Sequence, residues 1–337
     1  MIDATVVVPI RNAAEHIPAL LSALDRLQGP SIEIIIVDDH SADAGPALVD
    51  AWTPRNGHHK RLLPSMGEGV AAARNTAVAA ATGEYLWFAD ADDTWRDNLL
   101  ERLLDAARSG DHDLAICNAE RIDQATGARA LLEDAPHGGF EPGAEVVQLL
   151  LRGKVQGHLW NKLFRRTLFA QVHFPATRAH SDLGGLLQFC ARAGTVVFVP
   201  EVLYEYRVHA GSILHGSHYR WRDLPDVLAI AINVVQKLPN HGGDSRDLSV
   251  FAARCVWLPL AHEAIRRRSA RATDQGAEMA WIEAREHLRW SQLVALLLEH
   301  HVKLVVSGIA LKLVPELYAA SYRAYRRRYL TELDVRL

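Results

Sequence analysis

The chain has 337 residues, 37 basic against 40 acidic side chains, a net charge of −3 and three cysteines. That length exceeds a single small domain, an apolar share of 49% excludes a disordered chain, and the near-neutral balance excludes nucleic acid as the main partner. Cys117, Cys190 and Cys255 are too dispersed for a disulfide framework or a CxxC metal site, which fits a reducing compartment.

Thr5–Ile10 is short, β-branched and apolar, as a buried parallel strand should be. Ala14–Leu27 carries Ile17, Leu20, Leu21, Leu24 and Leu27 at the spacing of one helix face. A strand follows at Ile32–Val37, a helix at Ala44–Trp52, a short strand at Arg61–Leu63 and an alanine-rich helix at Val70–Ala81. Glu84–Ala89 reads as a strand, Asp97–Ala107 as a helix and Leu114–Cys117 as a strand. Between Glu120 and Gly157 glycine and proline point to loops with a hairpin, then a helix near Ala144–Leu151. Asp182–Ala193 reads as a helix, and Val196–Val199 and Val202–Tyr206 as separate strands. After Tyr219 the pattern is helical, with a loop at Pro239–Asp244. Such alternation predicts an α/β fold with a mostly parallel sheet, followed by a helical C-terminal region; the boundary is placed near residue 215. Charge divides the same way: residues 1–215 hold 19 basic and 27 acidic side chains, residues 216–337 hold 18 and 13.

In open α/β sheets ligands bind beyond the carboxyl ends of the strands. The strand at Thr5–Ile10 ends in Pro9-Ile10-Arg11-Asn12, the one at Ile32–Val37 in Asp38-Asp39-His40-Ser41, and the one at Glu84–Ala89 in Asp90-Ala91-Asp92-Asp93. Helix capping by Asp39, Ser41 or Asp93 accounts for one residue in each cluster. It does not account for five carboxylates at two strand ends, where like charges repel unless a cation or ligand joins them. Asp-x-Asp after a buried strand suits a hard divalent cation carrying a diphosphate, whereas no GxGxxG follows the opening strand and no GxxxxGK[ST] is present.

The segments VVVPIRNAAEHIPALLSAL (6–24), EIIIVDDHSAD (33–43), GEGVAAARNTAVAAATGEYLWFADADD (67–93), WNKLFRRTLF (160–169) and VLYEYRVHAGSI (202–213) resemble family 2 glycosyltransferases of the GT-A fold, in order and over about the first 215 residues. The resemblance implies a Rossmann-like nucleotide-diphospho-sugar transferase domain over 1–215, with 216–337 as a helical appendage. It implies a metal-dependent inverting transferase that uses a nucleotide-sugar, UDP-linked, and builds cell-surface polysaccharide or glycolipid. Carried over by position, Pro9, Asn12, Asp38, Asp39, Arg74, Asn75, Asp90, Arg207, His209 and Ser212 bind the nucleotide-sugar, with Asp39 on the uracil. Asp90 and Asp92 hold Mn²⁺ or Mg²⁺, and Asp182 is the general base. Trp160, with Asn161 and Lys162, falls on the acceptor side. Ser181 departs from the acidic residue the family places before its base, and His40 stands where glycine is frequent. Two rivals compete: a transferase fold kept for binding alone, and a receiver-like signalling domain suggested by the Asp38-Asp39 strand end.

Met1-Ile2-Asp3 leads into apolar sequence with no basic n-region or cleavage site, and no stretch reaches the ~20 uninterrupted apolar residues of a membrane span. Leu293–Leu317 comes nearest, interrupted by Glu299, His300, His301, Lys303 and Lys312. A cytoplasmic protein is expected. Leu304, Val305, Ile309, Leu313, Leu317 and Tyr318 would share one face of a long helix, and Arg266-Arg267-Arg268 and Arg326-Arg327-Arg328 lie in helical sequence. This part reads either as a packed bundle or as a basic amphipathic surface resting on anionic lipid.

Overall fold

The computed structural model describes residues 2–29, 31–123, 126–132, 134–135, 137–177, 180–208, 223–238, 245–270 and 274–329. The chain divides into two compact units: Met1–Leu150 with Lys154–His209, and Leu151–Gly153 with Ala210–Leu337. The boundary expected near residue 215, and the loop expected at Pro239–Asp244, lie outside the described residues.

The first unit is built on one sheet. Its strands are β1 (Ala4–Ile10), β2 (Ile32–Asp38), β3 (His59–Pro64), β4 (Tyr85–Phe88), β5 (Thr94–Trp95), β6 (Leu114–Asp123), β7 (Arg129–Leu132), β8 (Gly139–Pro142), β9 (Lys162–Arg165) and β10 (Thr195–Val208). The order is β3-β2-β1-β4-β9-β6-β10-β5, with β7 on β6 and β8 on β10. β3, β2, β1 and β4 run parallel; β9 is antiparallel to both β4 and β6, so β6, and β10 parallel to it, point the same way as β4. A receiver places its first strand between the second and third; here β1 lies between β2 and β4, which removes that rival.

Helices α1 (Ile17–Arg26), α2 (Gly45–Ala51), α3 (Val70–Ala80), α4 (Leu99–Ser109), α5 (Gly143–Arg152) and α6 (Ser181–Cys190) alternate with the strands. β1 and β2 are near-continuous apolar runs because both faces of the sheet are covered, and Val6, Val8, Ile34, Ile36 and Trp87 are fully buried. A Cβ on Gly83 would lie 2.5 Å from the Thr5 amide nitrogen, so the entry to β4 requires glycine.

Several elements differ from the sequence reading. α1 starts at Ile17 rather than Ala14, with Pro18 in its first turn. The two short strands expected between 196 and 206 are one strand, β10, whose register shifts between Val199 and Tyr204 absorb Pro200 as a bulge. β5 and β9 were not anticipated, since a two-residue strand and a four-residue strand have too little periodicity to read.

The second unit is helical: α7 (Leu224–Lys237), α8 (Ser245–Phe251), a π-helical turn at Ala252–Trp257, α9 (Leu258–Ala270), α10 (Gln275–His287), α11 (Trp290–Leu298), α12 (Val302–Leu313) and α13 (Pro315–Tyr329). The single long helix expected around Leu304–Tyr318 is broken at Val314-Pro315, because proline opens a new helix there. Its expected face is split as well: Val305 is buried while Ile309, Leu313 and Leu317 are exposed. The described helix closest to a membrane span is instead Arg246–Arg268, and 78% of its most apolar window is buried inside the fold, as in a core helix. Arg266 and Arg267 are paired with Glu263, and Arg268 with Glu278, so this basic triplet is spent on ion pairs.

Candidate active site

Because β1, β2 and β4 run parallel, their polar ends gather at one edge of the sheet. Asn12, just past β1, takes a left-handed conformation with φ 48°, which asparagine tolerates. There its amide oxygen accepts from the Ala42 amide at 2.8 Å, and its own amide donates to Ser41 Oγ at 3.0 Å. Asp38 Oδ1 accepts from the Ser41 amide at 3.1 Å. These bonds tie the loops after β1 and β2 into one floor, beside half-buried Pro9.

Asp39 is only 4% exposed. Both its oxygens accept from the Gly69 amide, at 2.9 and 3.1 Å, and Arg11 Nη1 donates to Oδ2 at 3.2 Å. Its carboxylate thus anchors the turn that opens α3. His40 takes φ 56°, a left-handed turn conformation.

α3 delivers Arg74, which is 7% exposed. Its Nη2 lies 3.7 Å from Asp90 Oδ1, its guanidinium sits 5.7 Å over the Phe174 ring, and its Nε has no hydrogen-bond partner among the described residues. Asn75 makes a reciprocal clasp with the backbone of Phe174, donating at 3.0 Å and accepting at 2.9 Å. The sequence reading placed Asn75 on the nucleotide-sugar; its amide is bonded to the segment that carries Phe174 under Arg74.

After β4, Asp93 points inward and is 4% exposed. Tyr204 donates its hydroxyl to Asp93 Oδ2 at 2.8 Å, and the Arg207 amide donates to Oδ1 at 2.8 Å. Burial, with Asp90 and Asp92 adding, still pushes the Asp93 carboxyl well above the usual range. Asp90 is raised to about 6 by burial, opposed by Arg74 and reinforced by Asp92 and Asp182. Asp182 therefore lies within electrostatic reach of the acidic end of β4. Arg207 is held by Thr94, its Nε donating to Oγ1 at 3.0 Å. His209 and Ser212 lie outside the described residues.

Asp182 does not cap α6. His180, at φ 60°, precedes α6, and Asp182 sits inside the first turn, accepting from the Leu183 amide at 2.9 Å. Ser181, in place of the family's acid, is buried.

Trp160 is 5% exposed and is sandwiched between Tyr204 at 4.5 Å and His158 at 4.7 Å, with near-parallel rings. The acceptor-side reading of Asn161 and Lys162 needs correction. Both are buried, and Lys162 Nζ bonds Asp134 Oδ2 at 3.0 Å while Asn161 Nδ2 bonds the same oxygen at 2.9 Å. This interior network fixes the strand beneath Trp160. Tyr204 and His158 were missed by sequence reading, although Tyr204-x-Tyr206 has the period of one strand face.

Among the described residues no three His, Cys, Asp or Glu side chains are grouped to hold a metal ion unaided.

The family model for glycosyl transferase family 2 matches residues 5–176. The chain is 33% identical over 221 residues to the putative glycosyltransferase EpsH of Bacillus subtilis; the match covers 62% of each, so the chain spans less than two thirds of that relative. It is 28% identical over 265 residues to glycosyltransferase GlyG of Streptococcus pneumoniae, covering 75% of this chain and 85% of GlyG. Its fold is similar to S. aureus TarS residues 1–349, solved with UDP-GlcNAc, at TM-score 0.70 and 15% identity over 97% of this chain and 92% of that one. It also resembles the mannosyltransferase PcManGT of Pyrobaculum calidifontis, solved with GDP-Man and Mn²⁺, at TM-score 0.53 and 17% identity, covering 93% and 87%. With the family match extending over half its length and the GT-A architecture beneath it, the chain belongs to glycosyl transferase family 2.

Proposed function

We propose that the protein is an inverting glycosyltransferase that moves a sugar from a UDP-linked donor to a hydroxyl of a cell-surface polysaccharide or glycolipid. The observation that carries this reading is the gathering of Asp90, Asp92 and Asp93 at the end of β4, with buried Arg74 3.7 Å from Asp90 and Asp182 within electrostatic reach. TarS with UDP-GlcNAc, and relatives that include a succinoglycan biosynthesis protein of Rhizobium meliloti, support the donor and acceptor classes. Asp182 takes the proton of the acceptor hydroxyl as that oxygen bonds the anomeric carbon from the face opposite the diphosphate. The bond from anomeric carbon to phosphate oxygen breaks, and UDP departs with the electron pair.

Asp90 and Asp92 would hold a divalent cation, Mn²⁺ or Mg²⁺. The donor set fits: Asp90 and Asp92 supply hard carboxylate oxygens two residues apart at the end of β4, with Arg74 3.7 Å from Asp90 as a cationic neighbour. Such a cation is commonly held by one or two carboxylates, with substrate phosphates and water completing its sphere, which agrees with the lack of a closed three-ligand cluster. When bound, it would neutralise charge on the departing diphosphate. PcManGT, solved with Mn²⁺, supports the assignment.

The site of action proposed is the inner face of the cytoplasmic membrane. Val302, Val306, Ile309 and Leu313 recur at one helix face of α12 and are 37–65% exposed, beside exposed Lys303. Trp290, Val294, Leu297 and Leu298 of α11 are exposed as well. The test of the activity is release of UDP from UDP-sugars with and without Mn²⁺. Absence of turnover with every donor, while UDP still binds, would leave the binding-only rival standing.

A further inference from the structure

Arg121 is 7% exposed, and its Nε and Nη2 are both buried without a hydrogen-bond partner among the described residues. A guanidinium is always charged, and leaving its donors unmade in a desolvated place is costly unless a ligand satisfies them. Its position says where that ligand lies. Arg121 stands in the last turns of β6, in register with Tyr206 of β10, and both strands point toward the edge where β4 ends. Strand alternation puts it on the face of Ala119 and Cys117, which belong to the core cluster containing Trp160 and Tyr204, with Tyr206 packed against it. β6 is separated from β4 by β9 alone, and Arg121 lies five residues beyond the last β6–β9 pair at Ile116, so it stands past the end of β9 on the side away from β1–β3.

Among the described residues no carboxylate accepts a hydrogen bond from its Nε or Nη2. Tyr206 feels Asp93, Asp90, Asp92 and Arg121 together, so all share one neighbourhood. Asp93, however, spends its oxygens on Tyr204 and the Arg207 amide. Among the described residues no ion pair joins Arg121 to Asp90 or Asp93. The wall beside it is aromatic, with His158, Trp160 and Tyr206 stacked. Gly157 packs so closely on α6 that a Cβ there would lie 2.9 Å from Leu183 Cδ1, which sets this wall next to Asp182.

We propose that Arg121 anchors an oxyanion, a carboxylate or a phosphate, carried by the acceptor and laid against the Trp160–Tyr206 wall. The inference rests on the transferase reading above, because the nucleotide is assigned to the β1–β3 side and the acceptor to this one. A planar guanidinium with paired donors suits either oxyanion.

The test compares matched probes on the full chain with UDP bound: glucuronate against glucose, and glycerol 3-phosphate against glycerol, with affinities read by NMR titration. At least one charged probe is expected to bind about tenfold tighter than its neutral partner, the scale of one charge-assisted hydrogen bond. The pair with the larger ratio tells carboxylate from phosphate. In Arg121→Gln the ratio should fall to near one while UDP affinity stays within about twofold. A ratio near one in the wild type, or one unchanged in Arg121→Gln, overturns the proposal. Loss of UDP affinity in the folded variant also overturns it, by moving Arg121 to the donor. Should Arg121→Gln fail to fold, the wild-type ratio and its loss on adding inorganic phosphate decide. UDP binding to the wild type is measured separately: its absence sinks the transferase reading, whereas its presence without a probe preference sinks only the anion site.

Discussion

Asp182 and Tyr204 do different work at the same edge, and single-atom changes separate them. Asp182 accepts from the Leu183 amide within the first turn of α6, and an asparagine oxygen can accept the same bond. Asp182→Asn therefore preserves local structure and removes only the capacity to take a proton. Transfer is expected to fall at least ~100-fold, with UDP affinity and melting temperature nearly unchanged; near-normal turnover would assign the base elsewhere. Tyr204 holds Asp93 in a buried position where the carboxyl already resists ionising. Tyr204→Phe leaves Asp93 with the Arg207 amide as its remaining recorded donor, so a loss of about 1–3 kcal/mol is expected in denaturant titration. A variant as stable as the wild type would show that this bond contributes nothing net. Neither Tyr204 nor Arg121 was legible in the sequence as a site residue, because each sits in an ordinary strand pattern. Their significance comes from hydrogen bonds made, or not made, across strands far apart in the chain.

Among elements, those with long and regular patterns were readable: β1, β2, α3, β4 and α4 all lie within a few residues of expectation. The polar ends of β1, β2 and β4 were readable for the same reason, since a buried strand must stop where polar residues begin. What failed was tertiary. β9 exists because β4 and β6 need a partner between them, and α12 ends where Pro315 opens a new helix. Histidines were also opaque. In the helical unit, His262 of α9 shares a 2.6 Å hydrogen bond with the Tyr318 hydroxyl and stacks on Tyr322 of α13 at 4.2 Å. Burial, with Arg326 adding, pushes its imidazole down to about 4. The folded protein then keeps His262 neutral while the unfolded chain, near the ordinary value of about 6.5, takes up a proton. Stability from this clamp is present above pH about 6.5 and is lost as pH falls through the folded value of about 4. In thermal melts followed by circular dichroism, His262→Gln should show a shallower decline of melting temperature between those limits. An identical decline would mean His262 does not govern it.

At the scale of the whole molecule, charge and exposed apolar surface are the quantities that remain after folding is satisfied. Residues 216–337 carry 18 basic and 13 acidic side chains against 19 and 27 before them. The asymmetry was visible in composition, but its meaning was not, because the first arginine triplet turns out to be paired with Glu263 and Glu278. Among the described residues the α12 stripe, where Val302, Val306 and Leu313 are each more than half exposed, is one surface left for a partner, beside exposed apolar residues of α11. Contiguous apolar surface of this kind marks an interaction site, and nearby cationic charge favours an anionic lipid over a neutral one. The full chain is therefore expected to co-sediment with vesicles containing phosphatidylglycerol and to release as salt rises, since the charge term is screened within about 8 Å at physiological ionic strength. Val306→Ser with Leu313→Ser should lower binding at least about threefold through lost apolar contact. Because both side chains already face water, the melting temperature should stay within a degree or two of wild type, as surface changes usually do. Binding that survives the double substitution but vanishes in salt would assign the contact to charge alone. A double variant that loses stability, or that changes oligomeric state in sedimentation, would show that the stripe is covered by protein instead.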